Sequence, residues 1–114
     1  MVIEDLKLEV PNEKRHISAR LTYPKTDPKD QQLIIIATGL YSHMDKSSQL
    51  KIAESYQKAG FSTLQFNFMG HGEGQNTSAG EIKNLTLSSS IKDIKTVWDY
   101  SMCLPNIDVN RIAI

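Results

Sequence analysis

The sequence offers a single cysteine, Cys103, which excludes an internal disulfide and any cysteine-rich metal site. Flanked by Met102 and Leu104, it reads as a small hydrophobe near a helix end. Charge of either sign is not in excess: 13 Lys and Arg face 13 Asp and Glu, so there is no electrostatic basis for binding nucleic acid or an anionic membrane. No basic run alternates with aromatic residues, which make up only 7% of the chain. Nothing approaches the roughly 20 consecutive apolar residues that a membrane span needs. The first ten residues mix Glu, Asp and Lys with Ile, Leu and Val, unlike a signal peptide. The sequons at Asn76 and Asn84 carry no weight without secretion, and the chain reads as cytoplasmic.

What is present fits one soluble domain of 114 residues, 39% hydrophobic and 23% charged. Residues 3–10 alternate loosely and residues 17–23 cleanly with period two, with Pro11-Asn12-Glu13 as a turn between them. This pair predicts an antiparallel hairpin. Residues 24–32, with two Pro, form a surface loop. Leu33-Ile34-Ile35-Ile36-Ala37 is an apolar run without alternation, closed by Thr38-Gly39, and predicts a strand buried on both faces.

Residues 46–59 carry Leu50, Ala53 and Tyr56 at helical spacing, with Asp45 or Ser47 as cap and Gly60 as left-handed stop. Residues 61–68 form the next strand, completing a right-handed βαβ crossover and hence a parallel sheet. A long polar loop follows. A second helix begins at Asn84 or Thr86, presents Leu87, Ile91, Ile94, Val97 and Trp98 as its apolar face, and stops at Pro105. Asp108-Val109-Asn110-Arg111 turns into a further buried strand at Ile112-Ala113-Ile114. An apolar run at the last residue suggests a sheet interrupted in mid-strand.

Gly70-His71-Gly72-Glu73-Gly74 lacks the spacing of a dinucleotide fingerprint and opens no helix at once. A phosphate-binding Gly-Lys-Ser/Thr loop is absent. His71-x-Glu73 lacks the cysteine pair of a zinc deaminase, and His43-x-Asp45 lacks a third ligand, so neither a metal nor a cofactor is expected. His16, His43 and His71 read as surface or loop residues making hydrogen bonds. Glu54, Glu73, Glu81 and Asp93 read as ordinary solvated charges.

Two features together say more than either alone: a Gly-containing turn after the first buried strand, and a Gly-x-Gly-x-Gly loop after the next parallel one. Ile34-Ile35-Ile36-Ala37-Thr38-Gly39-Leu40 resembles the strand and oxyanion turn of the α/β-hydrolase superfamily. The closest likeness is to its serine esterase, acylglycerol lipase and serine aminopeptidase-like members. The stretch from Gly60-Phe61 through Gly70-His71-Gly72-Glu73-Gly74 resembles the family's Gly-Phe/Tyr…Asp-x-Arg-Gly-His-Gly-x-Ser segment. Arg111-Ile112-Ala113-Ile114 resembles the opening of the nucleophile strand. The resemblance implies an α/β fold in which an antiparallel hairpin is followed by parallel βαβ units, truncated at the nucleophile strand.

The same resemblance implies a carboxylic-ester hydrolase working by acyl transfer on a small-molecule ester or acyl substrate, without a cofactor. It gives the Leu40 backbone N–H the role of oxyanion donor, lets Gly39 make the turn and Tyr41 line the acyl pocket, and makes Gly70, His71 and Gly72 a structural loop. The family nucleophile sits in Gly-x-Ser-x-Gly, which this sequence lacks, and the acid and His follow it. The 114-residue chain is therefore expected to be inactive alone, and its unfinished sheet edge to favour self-association or a non-catalytic interaction role. Thr38 stands where the family has His, Asn67 and Met69 where it has Asp and Arg, and Gly74 where it has Ser. Met69 can fill the volume of the Arg.

Overall fold

The computed structural model describes residues 2–23, 31–39, 42–72, 74–104 and 107–114, the side chains of 31, 75, 84 and 108–111 excepted. Strands β1 (Val2–Val10) and β2 (Arg15–Tyr23) form the antiparallel hairpin, with Val10 opposite Arg15. Asn12 and Lys14 adopt positive φ in the connection, and the Glu13 N–H donates to the Val10 carbonyl at 3.2 Å. Strands β3 (Gln31–Ile36), β4 (Ser62–Phe66) and β5 (Ile107–Ala113) complete a sheet of order β1-β2-β4-β3-β5. β2 pairs antiparallel with β4, whereas β3 runs parallel to both β4 and β5. The expected βαβ crossover is present, and β3 begins at Gln31, inside the stretch expected as loop.

Alternation along β4 sorts the core. Leu64 and Phe66 join Leu33, Ile35, Ile17, Ala19, Leu21 and Val97 in one buried cluster. Thr63 and Gln65 point to the opposite face, where Gln57 of helix α1 (Ser47–Lys58) donates to the Thr63 hydroxyl at 2.9 Å. Helix α2 (Leu87–Met102) packs across the Leu64 face, against β1 and β5.

α1 starts at Lys46 without a side-chain cap. Asp45, expected to cap it, is held instead by Arg20 and Asn76. The helix stops as expected: Gly60 takes φ +97°, its N–H donates to Gln57 and the Phe61 N–H to Tyr56, a Schellman motif. Thr86 caps α2, exchanging hydrogen bonds with Ser89 in a capping box. Cys103 is the exposed C-cap of α2.

The buried face of α2 is only partly the one expected: Val97 lies in the core and Ile94 and Trp98 pack against it. Ser89, Asp93, Thr96, Val97 and Ser101 lie inward, while Leu87 and Ile91 remain 79% and 57% exposed. The reason is electrostatic. Arg15 at the start of β2 is nearly buried, and Asp93, with no exposed surface, sits 2.7 Å from it. Turning Asp93 inward carries its helical neighbours with it, so Asp93 is a buried partner rather than a solvated charge. Residues 108–111, expected as a turn, lie within β5 but at a break in the ladder. Ile107 pairs with Gln31 and Ile112 with Leu33, so β5 accommodates extra residues there as a bulge.

Candidate active site

The carboxyl ends of parallel strands, where such sheets place their binding loops, are here the ends of β3 and β4. β3 runs into Thr38, whose buried hydroxyl has no hydrogen-bond partner among the described residues, and Gly39, which has no described atom within 4 Å of the position a Cβ would occupy. The Ser42 N–H donates to the Gly39 carbonyl at 3.1 Å, with two positions between them. Those two, Leu40 and Tyr41, lie outside the described residues, as does Glu73.

From the end of β4, Asn67 ties three loops together. Its Oδ1 accepts the Met44 N–H at 2.8 Å, and its Nδ2 donates to the Asn76 carbonyl at 2.8 Å. Its carbonyl accepts from the Ser78 hydroxyl at 2.6 Å, and that hydroxyl oxygen accepts the Ser18 N–H. An Asp could not make the Asn76 bond, because a carboxylate has no hydrogen to donate. The change from the family's Asp is thus matched to its surroundings.

Gly70 and Gly72 have φ of +71° and +119°. A Cβ on Gly70 would stand 2.5 Å from the Ile82 nitrogen, and one on Gly72 2.4 Å from the Asn76 carbonyl oxygen. Both positions therefore require glycine for conformation and for space. His71 between them is buried; its Nδ1–H donates to the Met69 carbonyl at 2.8 Å, and its backbone carbonyl accepts the Ser78 N–H at 2.9 Å. Met69, in place of Arg, is buried against Gly80.

The two loops meet around a cavity of about 260 Å³ lined by Ser42, His43, Lys46, Gly70, His71, Gly72 and Ile82. His43 and Lys46 were not grouped with the glycine loop by sequence, since nothing local signals their approach. Beside the cavity, Asp45 bonds Arg20 at 2.8 Å and Asn76 at 2.9 Å, and Arg20 also holds Asp5. Burial alone would push the Asp45 carboxyl up, but the hydrogen bonds from Asn76 and Arg20 outweigh it and hold it below the usual carboxylate value. A depressed folded-state value means that this stabilisation is present above the ordinary carboxylate range and is lost as pH falls through the folded value. Among the described residues, no group of three or more His, Cys, Asp or Glu is placed to hold a metal ion, and no helix is long and apolar enough to cross a membrane.

The fold has counterparts among known proteins. Est1E from Butyrivibrio proteoclasticus, in a structure with bound ferulic acid, superposes with a TM-score of 0.77 at 26% identity, covering 90% of this chain and 39% of its own. The alpha/beta hydrolase GrgF from Penicillium sp. sh18 superposes with a TM-score of 0.75 at 17% identity, covering 98% of this chain and 36% of its own. A cold-adapted esterase from an Arctic intertidal metagenomic library gives 0.69 at 17% identity, covering 91% and 46%. The chain thus spans less than half the length of each of these proteins. No curated protein matches it. A family model described as acyl transferase matches residues 3–114, and with the sheet order and loop placement above, the chain belongs to that family and has the fold of the amino-terminal portion of an α/β-hydrolase.

Proposed function

We propose that this chain supplies the oxyanion side of an acyl-transfer site acting on small carboxylic esters. The observation that carries the reading is the juxtaposition of the Gly39 turn and the 70–72 loop at adjacent parallel strand ends, in a chain of the acyl transferase family. The Leu40 N–H donates to the oxyanion, Gly39 makes the turn and Tyr41 lines the acyl pocket. Such a donor contributes roughly 3 kcal/mol where comparable donors have been removed. The reaction is Ser attack with His as base, and the reading assigns neither group to these 114 residues, which contain no Gly-x-Ser-x-Gly. Purified 114-residue protein is expected to hydrolyse p-nitrophenyl acetate no faster than a heat-denatured control; turnover well above it would overturn this division of labour. An in-frame Gly-x-Ser-x-Gly encoded beyond Ile114 would support the reading directly.

A second reading, a non-catalytic module that pairs through β5, is favoured by one observation. β5 is an edge strand, and beside it Ile91, Ile94, Trp98 and Ile114, together with Lys95, line a largely apolar cavity of about 270 Å³, with Ile114 65% exposed. A stop codon after Ile114 would support it. Light scattering is then expected to give at least twice the monomer mass, falling to the monomer in I91K; a strictly monomeric, cooperatively folded chain would count against it.

A further inference from the structure

We propose that Asp93, held by Arg15, is a positioning residue: the buried pair places a carboxylate oxygen where it fixes the root of the 70–72 loop, rather than adding to stability. Asp93 serves two elements at once. Its Oδ1 lies 2.7 Å from Nη2 of Arg15 at the start of β2, and its Oδ2 accepts the Met69 N–H at 3.0 Å, one residue before the glycine loop. The next two backbone N–H groups donate within the segment that follows β4. That of Gly70 goes to the Ser78 carbonyl and that of His71 to the Phe68 carbonyl. Such local bonds hold the shape of the loop and would travel with it. Of the three N–H groups, that of Met69 is the one that ties the loop to α2.

As a source of stability the pair is poorly made. Asp93 Oδ1 and the three side-chain nitrogens of Arg15 are buried, and none has a hydrogen-bond partner among the described residues. Two charges taken out of water on those terms return little beyond what apolar side chains of similar volume would. Seating Asp93 inward also leaves Leu87 and Ile91 exposed on the same helix. What an apolar pair could not supply is an acceptor for the buried Met69 N–H. Arg15 provides the counter-charge that lets this acceptor be buried, and Lys92, the residue before Asp93, pairs with Glu13 in the turn leading to Arg15. α2 is thereby clamped to the hairpin at two successive positions. Gly70 is packed against the Ile82 backbone and Gly72 against Asn76, so a shift at Met69 is passed on to the cavity wall that Gly70, His71 and Gly72 form. The inference concerns the seat of the loop and not acyl transfer, and either conclusion stands if the other fails.

The test combines urea denaturation of the ¹⁵N-labelled 114-residue protein with hydrogen exchange and ¹H–¹⁵N shifts of the amides from Met69 to Gly72. In D93A the Met69 amide is expected to exchange about tenfold faster relative to the core amide of Leu64, and the Gly70, His71 and Gly72 signals to move. D93N keeps an acceptor oxygen but loses the charge. It is expected to unfold at lower urea yet to hold the relative protection of Met69 to within about threefold. R15M/D93L is expected to do the reverse, unfolding close to the unsubstituted midpoint while losing the Met69 protection. Loop signals and protection unchanged in R15M/D93L, or lost equally in D93N and D93A, would overturn the proposal. An R15M/D93L protein as destabilised as D93A would also overturn it, because the pair would then be a stabiliser in its own right.

Discussion

Replacing Asp93 with Ala is expected to cost about 3–5 kcal/mol of folding stability, the range seen when one partner of a buried ion pair is removed. Its Oδ1 lies 2.7 Å from Arg15 Nη2, and its Oδ2 accepts the Met69 N–H at 3.0 Å. The Arg15 contact lacks hydrogen-bond alignment, and the buried Arg15 nitrogens have no other hydrogen-bond partner among the described residues, so charge rather than a directed bond holds the pair. D93A leaves a buried guanidinium without a counter-charge and a backbone N–H unpaired. Against the 5–15 kcal/mol of an ordinary domain, that is a large fraction. The double variant R15M/D93L removes both charges and is expected to recover most of the loss. Urea denaturation of the unsubstituted protein, R15M, D93L and R15M/D93L in a double-mutant cycle measures the coupling. Losses additive to within about 0.5 kcal/mol would show that the pair acts as two independent residues.

The second large effect is expected at Asn67. N67D keeps the acceptor for the Met44 N–H but loses the donor to the Asn76 carbonyl, and sets a fully buried carboxylate against that oxygen. The expected cost is about 2–4 kcal/mol at neutral pH. Desolvation and the facing carbonyl both disfavour the charged form, raising the new carboxyl above its unfolded value of about 3.9. With the folded-state value raised, the protonated form is the one the fold prefers, since its O–H can donate to Asn76. The deficit relative to the unsubstituted protein should therefore be full at pH 7 and shrink as pH falls through that raised value. Melting temperatures of both proteins at pH 7 and pH 4 test this; a deficit independent of pH would show that the new carboxylate has found a solvated or cationic partner.

The sequence carried the order of elements well because each was written in local chemistry. Alternation marked β2, the unbroken Ile run marked β3, Gly60 marked the end of α1 and Thr86 the start of α2. Long-range pairing was not legible in the same way. Asp93 looks like any charge on an amphipathic helix until Arg15, at the far end of the chain from it, is placed beneath it by the sheet. Asp45 is likewise a plausible cap from sequence alone, yet the bonds of Arg20 and Asn76 are stronger claims on it than the start of α1. The glycine pair at 70 and 72 was visible as a motif, but its steric necessity depends on Ile82 and Asn76 folding back over it. The cavity that His43 and Lys46 share with that loop is a product of parallel pairing and has no sequence signature.

The buried side of α2 has a mechanical consequence. Thr96 and Ser101 satisfy their hydroxyls on carbonyls of their own helix, at 2.8 Å each, and Ser89 is committed to the cap. Small, self-satisfied side chains let a helix lie close to a sheet without interlocking with it lengthwise, and Val97 is its one fully buried aliphatic residue. Asp93 is then the pivot on which the helix is seated. The same carboxylate grips the Met69 N–H at the root of the 70–72 loop, so a displacement of α2, from pressure on its exposed Ile91, would be delivered as torque to the rim of the cavity.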